Sequence, residues 1–411
     1  MKQSSRTSKF LFALFALIVI FSDEIFFSFI SFMGLEVKSG MKAREAVLIA
    51  GVAYLLLVGD IFNRRMSNRN YSQLIVLFVI LALYYFTGLS FRTSNGNYNT
   101  HLLSYGAMCI PAAYVGMRLA RSAENMEIVK LLPFFVVIVA FFISRAAIYT
   151  SMRGAILGQD ENDVLNYQNA SYYLAFSYSY CFYYLFFGSE QTNGKTNRFM
   201  KTIMIILLLV CAIGCLVGGG RGAFVYMVAI SVYLIYRILK RSGKGHFSYT
   251  ILLVAGAGVL AFLLTRFDVM ESAGFDRVSS LITTDDVREE LWKKAMIVFY
   301  ESPIIGHGLG SIWWTTGFFS HNVIIDLLAE TGVVGTVIWL IVAVNATVRL
   351  IKTSHVRSLD MFILIILISA LVNAMFSGYW TSSPKLFLVF GYVYGLNKQK
   401  RLLNEQKKIT V

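Results

Sequence analysis

Long apolar runs alternate with short charged clusters along the whole of this 411-residue chain. In lipid there is no water to satisfy backbone N–H and C=O groups, so a spanning segment must be a helix or a strand of a closed barrel. The runs are continuous rather than alternating, which predicts helices. A hydrocarbon core about 30 Å thick takes about 20 residues of helix. Runs of that order are read at 10–32, 46–62, 71–91, 102–120, 131–149, 171–188, 202–218, 223–239, 248–265, 323–348, 359–377 and 385–396, the last being short. Composition agrees, with 57% hydrophobic and 15% charged residues, against about 25% charged in soluble proteins. Only four prolines interrupt the chain, so the helices should be mostly unbroken. Soluble enzymes, disordered scaffolds and coiled coils are excluded.

The formal net charge of +14 would raise nucleic acid as a partner in a soluble chain. Here its placement gives another reading. With a cytoplasmic N-terminus, the inside segments collect the larger share of the 37 Lys and Arg, including Arg64, Arg65, Arg69, the 237–244 cluster and the 398–408 tail. The positive-inside rule then gives an even number of spans with both termini inside, with contacts to anionic headgroups and no nucleic acid. Lys2, Arg6 and Lys9 precede the first run and no small-residue cleavage site follows it, which reads as a retained anchor. The expected fold is an all-α polytopic membrane protein of about 12 transmembrane helices, N-in and C-in, with one large periplasmic loop holding amphipathic helices. Its divisions are 1–265 for helices one to nine, 266–322 for the large loop, and 323–411 for the last three helices and a basic cytoplasmic tail. Cys109, Cys181, Cys211 and Cys215 all fall in apolar runs. They read as packing residues, the one-turn spacing of Cys211 and Cys215 included.

Two outside segments are long. One, 150–170, is acidic through Asp160, Glu161 and Asp163. The other, 266–322, contains a predicted helix from Thr284 to Tyr300, capped by Thr284 with Asp285 and Asp286 in its first turn. Leu291, Trp292, Ala295, Met296 and Phe299 share one face, which would lie against the membrane surface or cover a cavity. Three basic or titratable residues belong to this side. Arg221 stands in GGGRGAF, where glycines permit close backbone approach and leave amides to point at an anion. Arg288 is on the outside helix, and His321 precedes the tenth run. Arginine forks onto phosphate oxygens, and histidine, with an ordinary pKa of about 6.5, accepts a proton at neutral pH. Together they suit a phosphorylated group and an attacking hydroxyl. Plainer readings stand beside this one: a headgroup anchor for Arg221, a solvated face charge among Glu289, Glu290 and Asp285 for Arg288, and a helix cap or a pairing with Asn322 for His321.

Asp326 and Glu330 lie one turn apart inside an apolar run, where carboxylates mark a polar cavity or proton path. Asp23 and Glu24 raise the same question nearer a membrane edge. Gly332 and Gly335 would allow close helix packing. Glu161 and Asp163 are spaced like a metal-binding pair, but no His or further carboxylate completes a site, and a metal-free, cofactor-free reaction is expected.

An Arg-Gly turn after an apolar run, an outside helix followed by Pro303 and Gly306-His307-Gly308-Leu309-Gly310, and His321-Asn322 leading into Glu330-Thr331-Gly332-Val333-Val334-Gly335 form an ordered set. Over about 218 to 340, this set resembles the O-antigen polymerase and O-antigen ligase superfamily. The stretch from Asn166 to Ala170 is similar to a polar patch before a middle helix in such proteins. The resemblance implies an inner-membrane glycosyltransferase facing the periplasm, using a glycan on undecaprenyl pyrophosphate. Arg221 and Arg288 would hold the pyrophosphate and His321 would orient or deprotonate the acceptor hydroxyl. Asn322, Arg266, Glu330 and Asp326 would be supporting positions. The transfer would invert the anomeric carbon. The Trp292, Trp313, Trp314 and Tyr300 group would stack sugars or sit at the interface. The partners implied are lipid-linked donor and acceptor oligosaccharides, membrane lipids and a chain-length regulator.

Within the superfamily, a polymerase extends a lipid-linked chain and a ligase transfers it to lipid A-core. The Phe- and Tyr-rich, low-proline composition and the modest outside loop favour the polymerase. A lipid-linked glycan flippase is the competing class, but no internal repeat of the transporter kind is visible.

Overall fold

The structure, a computed structural model, describes residues 6–21, 24–26, 109–120, 122–152, 167–191, 198–242, 288–317, 319–354, 358–380 and 383–409. These residues form eleven helices and no strand. They are α1 (Arg6–Ile20), α2 (Ile110–Leu119), α3 (Ser122–Met152), α4 (Tyr167–Gln191), α5 (Arg198–Gly218), α6 (Arg221–Ser242), α7 (Arg288–Glu301), α8 (Ser311–Thr316), α9 (Val323–Thr353), α10 (Ser358–Phe376) and α11 (Pro384–Ile409). The runs at 46–62, 71–91 and 248–265, the acidic pair Glu161 and Asp163, and Asp23, Arg266, Asp285 and Asp286 lie outside the described residues.

Five of these helices are long and apolar enough to cross a membrane: Ile128–Ile148 within α3, α5, Arg221–Lys240 of α6, α9, and Leu359–Phe376 of α10. The run at 171–188 is helical but is not among them. Its tyrosines and serines lower its hydropathy, and it packs against α3, α5, α6 and α10. Leu174, Phe176, Tyr180, Cys181 and Tyr183 are fully buried there. A phenol ring supplies apolar area to a protein interior at the cost of one polar atom to be satisfied. All four cysteines are buried and free, as packing residues would be. In the basic C-terminal segment α11 runs unbroken to Ile409.

Small residues set the closest approach in the bundle. A Cβ on Gly116 of α2 would stand 1.9 Å from the carbonyl oxygen of Leu388, and one on Gly391 of α11 would stand 2.0 Å from that of Ala113. The two backbones therefore touch, as in close-packed membrane helix pairs. Several buried polar side chains tie helices together. The Arg237 guanidinium donates to the Ser354 hydroxyl at 2.9 Å and carbonyl at 3.3 Å, pinning α6 to the end of α9. Lys385 pairs with Glu24, and the Tyr392 hydroxyl donates to Asp360.

One helix departs from regularity where it matters. At Gly332, φ is 61° and ψ is −167°, which breaks α9 into an outer piece before it and a long apolar piece after it. Gly332 thus combines the close approach expected of it with an elbow. The 302–310 segment between α7 and α8 fills the break.

Candidate functional site

The elbow frees backbone groups, and the 302–310 segment takes them up. His307 N–H donates to the Ala329 carbonyl at 3.2 Å and Gly308 N–H to that of Glu330 at 2.8 Å. In return Val333 N–H reaches the Pro303 carbonyl at 2.9 Å and Val334 N–H the Ile304 carbonyl at 3.1 Å. Such satisfaction is required of a broken helix at membrane depth. The approach allows no side chain: a Cβ on Gly306 would lie 2.4 Å from the Glu330 carbonyl, and one on Gly332 would lie 2.4 Å from the Ile304 carbonyl. Both glycines also have positive φ, so an L side chain is excluded twice over.

Glu330 locks this junction to the turn after α10. It is fully buried. Oε1 accepts from Gly310 N–H at 3.0 Å and from the Tyr379 hydroxyl at 2.5 Å, while Oε2 accepts from Trp380 Nε1 at 2.9 Å. Around it Ala295 of α7, Ile312 of α8 and Tyr379 form a small second core, flanked by Trp313, Phe319 and Trp380. The carboxylate expected to mark a polar cavity or proton path is bonded three ways and acts as a clamp. Asp326, one turn earlier and also buried, accepts from Ser320 N–H through Oδ1 at 2.9 Å, while its Oδ2 has no partner.

The 319–322 turn carries His321. Asn322 caps α9, its Oδ1 accepting from Ile324 and Ile325 N–H at 3.0 and 3.4 Å, as a short amide at this position does. Capping thus falls to Asn322, not to His321. Trp292 of α7 donates from Nε1 to the Ser320 carbonyl at 2.9 Å. His321 has a φ of 58°, the only positive value on a non-glycine among the described residues. The left-handed region costs an L residue roughly 1–2 kcal/mol, so the surroundings must impose it. The imposing contacts are the Ser377 carbonyl, 3.2 Å from Nδ1, and the Phe319 ring, whose centroid is 4.3 Å from that of the imidazole. A carbonyl only accepts, so Nδ1 carries the proton. In the neutral ring the lone pair is then on Nε2.

Arg221 opens α6 after Gly219, which has a φ of 74°. The turn is pressed onto the start of α4: Gly220 N–H donates to Ser171 Oγ at 3.2 Å, and a Cβ on Gly222 would stand 2.0 Å from the Tyr172 hydroxyl. Tyr172 is the junction. Its buried hydroxyl has Ser377 and the Arg288 guanidinium as polar neighbours and makes no hydrogen bond of ordinary geometry with either. Arg288 opens α7. Its acidic neighbours Glu289 and Glu290 bond Lys293 and Lys294 at 2.9 and 2.8 Å. Those hydrogen bonds, with the lysine charge, hold both carboxyls below their usual range. The structure thus brings His321, Arg288 and the Arg221 turn around Tyr172 and Ser377, with Glu330 and Asp326 behind the histidine. Among the described residues no three His, Cys, Asp or Glu side chains gather as a cation site would need.

Several of these groups had no sequence motif to mark them. Tyr172 was hidden in a tyrosine-rich run, and Ser377, Tyr379 and Trp380 in what read as a plain turn between the last two spans. The low hydropathy of α4 was the available signal. The apolar face predicted for α7 is partly realised: Ala295 is buried against the small core and Trp292 bonds the histidine turn, so this face covers the site. Tyr300, grouped with the tryptophans by sequence, points away from it and is exposed.

Comparison with known proteins gives one finding. Residues 205–340, about a third of the chain, match the family described as O-antigen ligase. The matched stretch contains Arg221, Arg288, His321 and Glu330. No curated protein and no solved structure matches the chain.

Proposed function

From that family match over 205–340, we propose that this multi-pass membrane protein is a polymerase of lipid-linked oligosaccharide repeat units. It acts on the periplasmic side of the inner membrane. The observation that carries the reading is that Tyr172 neighbours Arg288, the Arg221 turn and Ser377, whose carbonyl faces His321 Nδ1, all but Tyr172 and Ser377 lying within the matched segment. Arg221 and Arg288 hold the pyrophosphate of the donor and offset its negative charge. His321 Nε2 takes the proton from an acceptor sugar hydroxyl as its oxygen bonds the anomeric carbon. The bond from that carbon to the pyrophosphate oxygen breaks, undecaprenyl pyrophosphate leaves with the electron pair, and the configuration inverts. The leaving group is already activated, so the scheme calls on neither a nucleotide sugar nor a metal. Holding donor and acceptor in one site supplies most of the advantage.

A ligase, passing the glycan to lipid A-core, is favoured as the second reading by the description of the matched family. One experiment separates them. A strain lacking the gene is complemented with wild type, Arg221→Ala, Arg288→Ala or His321→Ala, with membrane levels of each variant checked, and its surface glycans are profiled. Core capped with a single repeat unit in the null and the variants supports the polymerase. Bare core, with long chains left on the carrier, makes the protein a ligase. Wild-type profiles from the three variants would refute the site.

A further inference from the structure

The outward surface of α7 changes character along its axis. Its first turns expose Glu289, Glu290, Lys293 and Lys294. Its last turn exposes Ile297 (60%) and Tyr300 (70%), and the turn beyond exposes Ile304 (67%) and Ile305 (66%). Glu301, the charge inside this patch, lies 3.7 Å from His307 Nε2. The Pro303 and Ile304 carbonyls are hydrogen-bonded to Val333 and Val334 N–H, so the patch is fixed at the depth of the elbow. Directly below, α9 exposes Val333, Val334, Val337, Ile338 and Ile341. The apolar surface is therefore continuous from the turn onto a helix read as a span.

The length of that span sets the depth. The piece of α9 from 333 to 353 rises about 30 Å at 1.5 Å per residue, which is the thickness of the hydrocarbon core. Lys352, exposed near its far end, is long enough to reach the opposite interface by snorkelling. Gly332 then lies at the hydrocarbon boundary on the side of the site. A few exposed isoleucines in water would cost free energy in proportion to their area. At this boundary the same area is removed from water.

We infer that the end of α7 and the 303–305 turn form a foot that dips into the acyl chains of the leaflet on the site's side, while the charged start of α7 stands in water. The occupant is bilayer hydrocarbon. A second copy of the chain seated on the foot would have to cover the exposed face of α9 as well. The inference rests on the membrane reading alone and is independent of which glycan, if any, is transferred.

The test uses full-length protein reconstituted in vesicles of phosphatidylcholine and phosphatidylglycerol. The four native cysteines are buried, so an introduced surface cysteine takes up a thiol-reactive fluorophore selectively, with unsubstituted protein as the blank. Ile304→Cys and Glu289→Cys are labelled separately, and emission is compared in vesicles with and without bromine on the acyl chains. The expected result is loss of most of the emission, with a blue-shifted maximum, for Ile304→Cys, and little change for Glu289→Cys. Ile305→Cys gives the same readout should Ile304→Cys fail to accumulate. An unquenched label at both isoleucine positions overturns the proposal. Equal quenching at position 289 also overturns it, because α7 would then lie flat in the interface.

Discussion

Glu330→Gln is the sharpest perturbation the structure offers. Gly310 N–H and Tyr379 O–H meet Oε1, and Trp380 N–H meets Oε2. A glutamine has one acceptor oxygen and one donor NH2. With its oxygen toward Gly310, the NH2 faces the indole N–H of Trp380; flipped, it faces the amide of Gly310. Either way one buried bond is replaced by two opposed donors. Hydrogen bonds to charged groups contribute about 1.5–3 kcal/mol, and a buried donor left unmet costs about 1–3 kcal/mol. Relief of carboxylate desolvation offsets part of this, leaving a net loss of about 2–4 kcal/mol. At about 1.4 kcal/mol per factor of ten, the native arrangement of the 377–380 turn, and with it the Nδ1 contact of His321, becomes about thirtyfold or more less favoured. Heating purified protein in detergent with a thiol-reactive dye reads this out, since all four cysteines become reactive only on unfolding. The midpoint should fall by several degrees. Adding Trp380→Phe, which deletes the opposed indole N–H, should restore part of the loss, so the double mutant is more stable than the sum of the single changes. A wild-type midpoint for Glu330→Gln, or strict additivity with Trp380→Phe, would refute the clamp.

Three other outcomes follow from local geometry. His321→Gly and His321→Ala should both abolish transfer in the complemented strain. The glycine variant should melt higher, by an amount corresponding to roughly 1 kcal/mol, because only the alanine retains the left-handed strain. Gly332→Ala should not accumulate in the membrane, as seen by immunoblot, since its Cβ would meet the Ile304 backbone at 2.4 Å. Tyr172→Phe removes a buried hydroxyl that makes no hydrogen bond. Its dye-monitored midpoint should equal or exceed that of wild type, and a clear drop would show that the hydroxyl carries a bond.

Apolar length and charge made the membrane helices legible, because lipid leaves a chain few choices. The same logic picked out His321 and Arg288 by residue type and Glu330 as a costly intramembrane carboxylate. Partnerships across long sequence separations were not legible. That Glu330 would hold Tyr379 and Trp380, or that the Ser377 carbonyl would fix the histidine ring, depends on how α9 and α10 end beside one another. Nor does local pattern announce the break at Gly332. In an apolar run, a glycine reads equally as packing and as an elbow until the 302–310 segment is seen beside it. Run length also gave no sign that α4 packs among other helices, where tyrosines are tolerated that lipid contact would not be.

The elbow also bears on how the site answers to its surroundings. A straight helix transmits every change in bilayer thickness to its outer end, because tilting the span to correct a mismatch swings whatever sits on top of it. Here the spanning piece and the piece that carries the histidine turn meet at a single left-handed glycine, and the outer piece is held by the clamp at Glu330 and the capped turn at Asn322. The spanning piece is held by the same 302–310 segment, through Val333 and Val334 N–H, so a lean of the span is shared by the whole junction and not absorbed at the glycine. The heading of the outer piece is set by the angle of the elbow, not by the axis of the span.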